Sequence, residues 1–351
     1  MIHRKPSVAY TEFLGRQPIL DETPRKFAYG RTALKYGLQA LGLGQGAEIL
    51  VPEMTCRSLL VPLREKGMNA VYYRIRRDFT PDWEHLESAA TSDTKALIMI
   101  HYFGIPQDID RFQAFCRARS IFLVEDNAHG YGGRRYELLL GRFGDIGFST
   151  PRKTFGVVNG AYLYARDGLV LPKTALSGLE PMNLIREQMR FHKRRFLEQS
   201  NWLRRKFLPP LPYDSQDHFR DTVRRDWNMD IKTDQFLERQ DLDDAARRRR
   251  ELYGIWREWA ERQDIEPVHR EIDGTCAPMV FPAWTRSADE SRAWFDWGYR
   301  NEIDVHSWPT LPRELVERGS DALENWKRTV CFPIHQEIDP AALRARIGSL
   351  S

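Results

Sequence analysis

Hydrophobic and polar positions along the first half of the chain follow two periods in turn. Apolar residues recur every three or four positions over Thr32–Leu41, Arg57–Lys66, Pro81–Ala90 and Ile109–Arg119, which predicts helices. Between them lie short apolar runs at Glu48–Val51, Ala70–Arg74, Ala96–His101 and Ile121–Glu125, which predict strands, as do Ile146–Ser149 and Gly160–Tyr164. Such alternation predicts a mostly parallel sheet covered by helices. Beyond it the pattern changes. A basic helix is expected from Met182 to Phe207, broken by Leu208-Pro209-Pro210-Leu211-Pro212, and a long helix from Lys232 to Gln263. Strands at Ala277–Trp284, Val305–Trp308 and Thr329–Pro333 and a helix at Ala288–Arg300 complete a compact α+β tail with no internal repeat. The expected division is a large α/β domain over 1–230 and, over 231–351, a connecting helix with a small C-terminal α+β domain.

Composition narrows the class. The chain has 351 residues, 42% of them hydrophobic, enough for a sizeable core. No apolar run approaches the roughly 18 to 20 residues of a membrane span, and Met1-Ile2-His3-Arg4-Lys5 leads into no apolar signal core, so a cytoplasmic protein without a membrane partner is expected. The net charge is +4, with basic runs at His192-Lys193-Arg194-Arg195, Arg204-Arg205-Lys206 and Arg247-Arg248-Arg249-Arg250. Interspersed acids favour a solvated helix face over nucleic acid, and a phosphorylated or nucleotide-bearing substrate is a third use. Cys56, Cys116, Cys276 and Cys331 form neither a CxxC pair nor a zinc-like spacing with histidine, so reduced thiols and no metal site are expected.

Candidate chemistry gathers between Val124 and Gly160. The apolar run Ile121-Phe122-Leu123-Val124 leads to Asp126, and open α/β sheets bind ligands at the carboxyl ends of their strands. The segment GDIGFSTPRKTFGVVNGAY follows, with Lys153 after Ser149. A lysine amine can hold an aldehyde cofactor as a Schiff base, and a carboxylate on a separate strand end can hold a ring nitrogen protonated. Pyridoxal 5′-phosphate (PLP) needs both. Lys153 is the candidate Schiff-base lysine, Asp126 the pyridinium partner, and Ser149 the hydroxyl within reach of the phosphate. The plain alternatives are a solvated lysine and an aspartate that caps a helix or forms a turn. Tyr29-Gly30-Arg31-Thr32-Ala33-Leu34 offers a helix start whose N–H groups and Thr32 hydroxyl suit an anion, or else an ordinary capped helix.

Taken in order, these pieces resemble the DegT/StrS-type sugar aminotransferases of the aspartate-aminotransferase fold, over nearly the whole chain. GRTAL is similar to that family's SGTAAL phosphate loop, and LGLGQGAEILVPEMTCRS, KALIMIHYFGIPQ and VEDNAHGYG to its next segments. GDIGFSTPRKTF resembles its lysine segment, Asp226-Trp227-Asn228-Met229-Asp230 its N-Y-R-M segment, Phe236 to Tyr253 the helix after it, and Val330-Cys331-Phe332-Pro333-Ile334-His335 its LPIH strand. The resemblance implies a PLP-transferase large domain with a mostly parallel sheet and a small C-terminal α+β domain. It implies Asp126 at the pyridine nitrogen, His129 beside the cofactor, Ser149 at the phosphate with Gly30, Arg31 and Thr32, and Lys153 as the Schiff base. Asn228 would cross a homodimer interface to the partner's phosphate. Departures are Cys56 where an aromatic residue often stacks on the ring, with His101 and Phe103 as other covers, Val157-Val158-Asn159-Gly160 in place of GEGG, and Asp230 in place of arginine.

The function so implied is a PLP-dependent aminotransferase moving an amino group from glutamate to a nucleotide-linked keto-sugar, in polysaccharide or secondary-metabolite biosynthesis. Another PLP reaction on a non-sugar substrate, such as dehydration, decarboxylation or replacement, is a rival, since fold and cofactor leave the reaction open. A catalytically inert family member is another, which the presence of both Lys153 and Asp126 opposes.

Overall fold

The structure is a computed structural model that describes residues 2, 3, 6, 24–173, 176, 185, 189, 193, 226–308 and 310–350. The basic helix expected over Met182–Phe207 and its proline break therefore fall almost wholly outside the described residues.

The first half alternates as its periods require. Strands β1 (Arg25–Phe27), β2 (Glu48–Pro52), β3 (Asn69–Tyr73), β4 (Thr94–Ile100) and β5 (Phe122–Asn127) interleave with helices α1 (Gly30–Ala40), α2 (Arg57–Glu65), α3 (Trp83–Ala89) and α4 (Ile109–Arg119). A small hairpin, β6 (Arg134–Arg135) and β7 (Leu138–Leu139), precedes β8 (Ile146–Ser149) and β9 (Ala161–Ala165). One seven-stranded sheet results, in the order β1-β9-β8-β5-β4-β2-β3. Its pairs from β8 to β3 are parallel, while β9 and β1 close that edge antiparallel. The inner strands β2, β4 and β5 are buried along nearly their whole length, as a sheet covered on both faces demands. Helix starts follow local chemistry, since Asp82 and Asp108 accept the N–H groups of His85 and Arg111.

The second half departs from the sequence reading in two places. The single helix expected from Lys232 to Gln263 is two, α5 (Ile231–Glu238) and α6 (Leu242–Arg262). The Asp241 carboxylate accepts the Asp244 N–H, so a second N-cap restarts the helix where periodicity alone ran on. Val305–Trp308 is no strand, only the single bridge His306 to Cys331. The other elements are β10 (Glu266–Pro267), β11 (Val280–Trp284), α7 (Ala288–Arg300), α8 (Arg313–Glu317), α9 (Asp321–Lys327), β12 (Thr329–Pro333) and α10 (Pro340–Gly348). Strands β10, β11 and β12 form an antiparallel sheet. Its core sets Trp256, Trp259 and Phe332 against Trp294 and Trp297. Arg249, within a basic run read as a solvated face, is fully buried on α6 and donates to the carbonyls of Tyr131 and Ala245.

Backbone hydrogen bonds join this unit to the large sheet. Ala277 N–H donates to Gly104 O at 3.0 Å and Met279 N–H to Phe103 O at 2.8 Å. Gly104 has φ +87°, and a Cβ there would lie 2.2 Å from the Ala277 carbonyl oxygen. Both the left-handed backbone and the close approach require glycine. Gly104→Ala is expected to lower the unfolding free energy by about 2 kcal/mol or more. Gly44→Ala, where a Cβ meets nothing within 4 Å, should shift the denaturant midpoint far less. Equal midpoints for the two variants would contradict this account of the joint.

Candidate active site

The parallel strands β2, β4, β5 and β8 point their carboxyl ends to one side, and the chemistry collects there. In β5, Glu125 and Asn127 face one side of the sheet and Asp126 the other, because side chains alternate along a strand. The Glu125 carboxylate, with no accessible surface, accepts N–H groups from Gly141 (2.6 Å), Phe143 (2.6 Å) and Gly144 (3.2 Å). Gln107 N–H donates to His101 Nδ1 at 3.0 Å, so the His101 proton sits on Nε2, which donates to Glu125 Oε1 at 2.8 Å. His101 is thereby engaged beneath the site and is not a cover for a ring. Its backbone N–H donates to Asp126 O at 3.0 Å.

Asp126 is 6% exposed, and its Oδ1 accepts the Ala128 N–H at 2.8 Å. Burial raises its pKa, while Lys153, the Ala128 N–H and His101 act against that rise. Lys153 is half-buried. Burial lowers the pKa of its amine, against the opposing pull of Cys56 and Asp126. Lys153 stands in the short 3₁₀ turn Pro151–Lys153, its N–H donating to Thr150 O at 3.0 Å. An amine with depressed basicity and a carboxyl with raised pKa thus lie near enough to act on each other's charge.

His129 forms a further wall. It is 4% exposed, its Nδ1 accepts the Phe103 N–H at 3.3 Å, and burial holds its pKa well below the ordinary histidine value, with Lys153 acting the same way. Trp308 stands edge-on to it, with ring centroids 4.9 Å apart. Phe103 packs against Phe79 and Trp308. Cys56 precedes α2, and its Sγ lies 2.9 Å from Ser58 Oγ. Two buried polar atoms here have no hydrogen-bond partner among the described residues, Thr55 Oγ1 and Trp308 Nε1. Sequence reading missed Trp308, whose signal is only the proximity that the fold creates.

The phosphate end differs from expectation. Pairing of Asp126 with Phe148 and of Asn127 with Ser149 puts Ser149 on the face opposite Asp126. Its Oγ accepts the Asn127 amide at 3.0 Å and reaches Leu140 O at 3.4 Å, so Ser149 braces the sheet and does not face the helix start. The next residue does, for a Cβ built on Gly30 would lie 2.7 Å from Thr150 Oγ1. Thr32 Oγ1 donates to Asp226 Oδ1 at 3.0 Å, and so is engaged too. Arg31 and Arg152 lie over the Tyr29 ring, at 5.0 and 5.7 Å from its centroid, bringing positive charge to the start of α1. Asn228 does not stand on a free loop. It bridges Phe27, and its amide donates to Leu176 O at 2.7 Å within its own chain.

A glycine-lined helix start facing a hydroxyl, an enclosed amine and a buried carboxylate fit the phosphate, the aldehyde carbon and the ring nitrogen of PLP. The α/β sheet is that of the aminotransferase fold. Residues 26–176 match the profile of the DegT/DnrJ/EryC1/StrS aminotransferase family. The fold is similar to that of a DegT DnrJ EryC1 StrS aminotransferase from Brucella abortus (18% identity, covering 93% of this chain and 84% of that one, TM-score 0.66). It is also similar to Helicobacter pylori PseC, an aminotransferase of pseudoaminic acid biosynthesis (14%, 93% and 85%, TM-score 0.67). A third likeness is to the E. coli GDP-4-keto-6-deoxy-D-mannose-3-dehydratase with bound hydrated PLP (17%, 94% and 87%, TM-score 0.63).

Histidine burial near the site has a consequence for pH. Gln336 Nε2 donates to Thr154 O beside the lysine turn, and next to it His335 has its pKa lowered to about 4, mainly by burial and further by His3. A folded pKa below the unfolded 6.5 means that this contribution is complete above pH 6.5 and is lost as pH falls towards 4. His129, depressed in the same direction, adds to the loss. Denaturation at stepped pH should show stability dropping across that window, with His335→Gln flattening the drop by up to roughly 3 kcal/mol. An identical slope in the variant would remove His335 from it.

Proposed function

We propose that the protein transfers an amino group from glutamate to a keto-sugar carried on a nucleotide, acting as a cytoplasmic homodimer. The observation that supports this most is the shared burial of Lys153 and Asp126, whose pKa values move in opposite directions towards neutrality. Bound PLP supplies an aldehyde carbon to be joined to an amine and a ring that withdraws electrons from the bonds at that carbon. Lys153 Nζ is the amine for the aldehyde, because its depressed basicity leaves more of it neutral and nucleophilic. The same Nζ, when free, would move the proton at the substrate carbon. Asp126 holds a proton on the ring nitrogen, with the Ala128 N–H orienting its carboxylate. His129, kept neutral, adds no positive charge at the ring face.

Transfer is preferred to dehydration because Lys153 provides both an imine-forming and a proton-moving amine at one point. Lys153→Ala should lose the visible absorption that borohydride fixes to the protein, with the fold intact by circular dichroism. Asp126→Asn should keep bound PLP and lose about 100-fold or more in turnover. Formation of an amino-sugar matched one for one by 2-oxoglutarate marks transfer, and deoxygenated sugar without an incorporated amino group marks the dehydratase reading.

In a homodimer, Asn228 would keep a second amide N–H for the partner's site beside the one that it donates to Leu176 O. Mixing Asn228→Ala with Lys153→Ala chains distinguishes the arrangements. A shared site is expected to return activity in part in verified mixed dimers, and no recovery from folded parents would overturn it.

A further inference from the structure

We propose that the charged cleft between the end of β3 and helix α9 binds a small molecule carrying both an ammonium and a carboxylate, the chemical class of a free amino acid. The site is separate from the reacting pair and does not depend on the PLP reading. It lies at the β3 edge of the large sheet, three strands from β5, which is roughly 14 Å at the usual strand spacing.

The cleft holds about 370 Å³, within the size range of small-molecule sites. Its two walls carry opposite charge. Arg74, Arg76 and Arg77 line one as the chain leaves β3, and Asp321 and Glu324 of α9 line the other. Glu53, just past β2, lines it too and is 4% exposed. Its Oε1 accepts the Ile75 N–H at 3.1 Å, and its other oxygen has no hydrogen bond among the described residues.

Pairing within the protein occupies half of these charges. Arg76 stands 3.8 Å from Asp82, Arg77 3.0 Å from Glu266, and Lys327 2.8 Å from Glu324. Glu53, Asp321 and Arg74 have no ion pair among the described residues, and all three line the cleft. They also act on one another. Burial raises the Glu53 pKa and Asp321 adds to the rise, against the Ile75 N–H, Arg74 and Arg318. Two carboxyl groups that repel thus face the space that one unmatched guanidinium shares. An ammonium between Glu53 and Asp321 replaces their repulsion with attraction, and a carboxylate on the same molecule pairs with Arg74. An amine alone leaves Arg74 without a counter-charge, and a carboxylate alone meets two acids. A molecule with both groups satisfies all three residues and touches the large sheet and α9 together.

Calorimetric titration of the purified protein with L-lysine and L-glutamate tests this, with n-butylamine and glutarate as probes that hold only the amine or only the carboxylates. At least one of the amino acids should bind more tightly than either of these. Glu53→Gln keeps an oxygen for the Ile75 N–H and removes the charge, and Arg74→Gln removes the guanidinium. Each should weaken that amino acid about 10-fold or more, the range for one charge-assisted hydrogen bond. Arg74→Lys, which keeps the charge, should retain more of the affinity than Arg74→Gln. Heat that accompanies a change in visible absorption and persists in both charge-removing variants belongs to the reacting centre and is not counted. Melting curves report whether each variant is folded. The proposal is overturned if neither amino acid binds at millimolar concentration, if n-butylamine or glutarate binds as tightly, or if either charge-removing variant binds like the parent.

Discussion

The Glu125 carboxylate is the interaction on which the site depends. Removing a carboxylate from water costs several kcal/mol, and only a full set of donors offsets that. Glu125 receives N–H groups from Gly141, Phe143, Gly144 and His101. These donors come from the loop entering β8 and from the end of β4, so one buried group ties the three central strand ends together. With that face of β5 committed, alternation sends Asp126 to the opposite face, and Phe148 and Thr150 follow it.

Enclosure then produces the chemistry. In water both Asp126 and Lys153 would be ionised near neutral pH. Burial moves both, while each favours the charge on the other. A carboxyl with raised pKa and an amine with lowered pKa result from the same exclusion of water, and the proposed function draws on both.

The small unit completes the enclosure. Backbone bonds from Ala277 and Met279 to the Phe103–Gly104 turn set it in place, and Arg57 Nε donates to Leu311 O at 2.8 Å. Between these two attachments Trp308 meets His129, and its own carbonyl accepts the Trp326 indole N–H. The wall beside the reacting centre is thus built by residues nearly 180 positions apart in the chain.

Local chemistry legible in the sequence established much of this protein. The period of apolar positions determined the alternation of strands and helices from α1 to α4, and the apolar run before Asp126 and the lysine of TPRKTF marked a candidate pair that the fold buries together. These features depend on neighbours along the chain, which is why they could be read there. What tertiary structure decided depends on which strand lies beside which, and with what register. Ser149 and Thr150 are both hydroxyls beside the lysine turn, and only the pairing of Asn127 with Ser149 shows which face each occupies. The restart at Asp241, the burial of Arg249 and the approach of Trp308 to His129 likewise arise from packing between distant segments. Propensity and period describe a residue's own element, whereas the faces, neighbours and enclosure that turn a residue into a site are set by the elements packed around it.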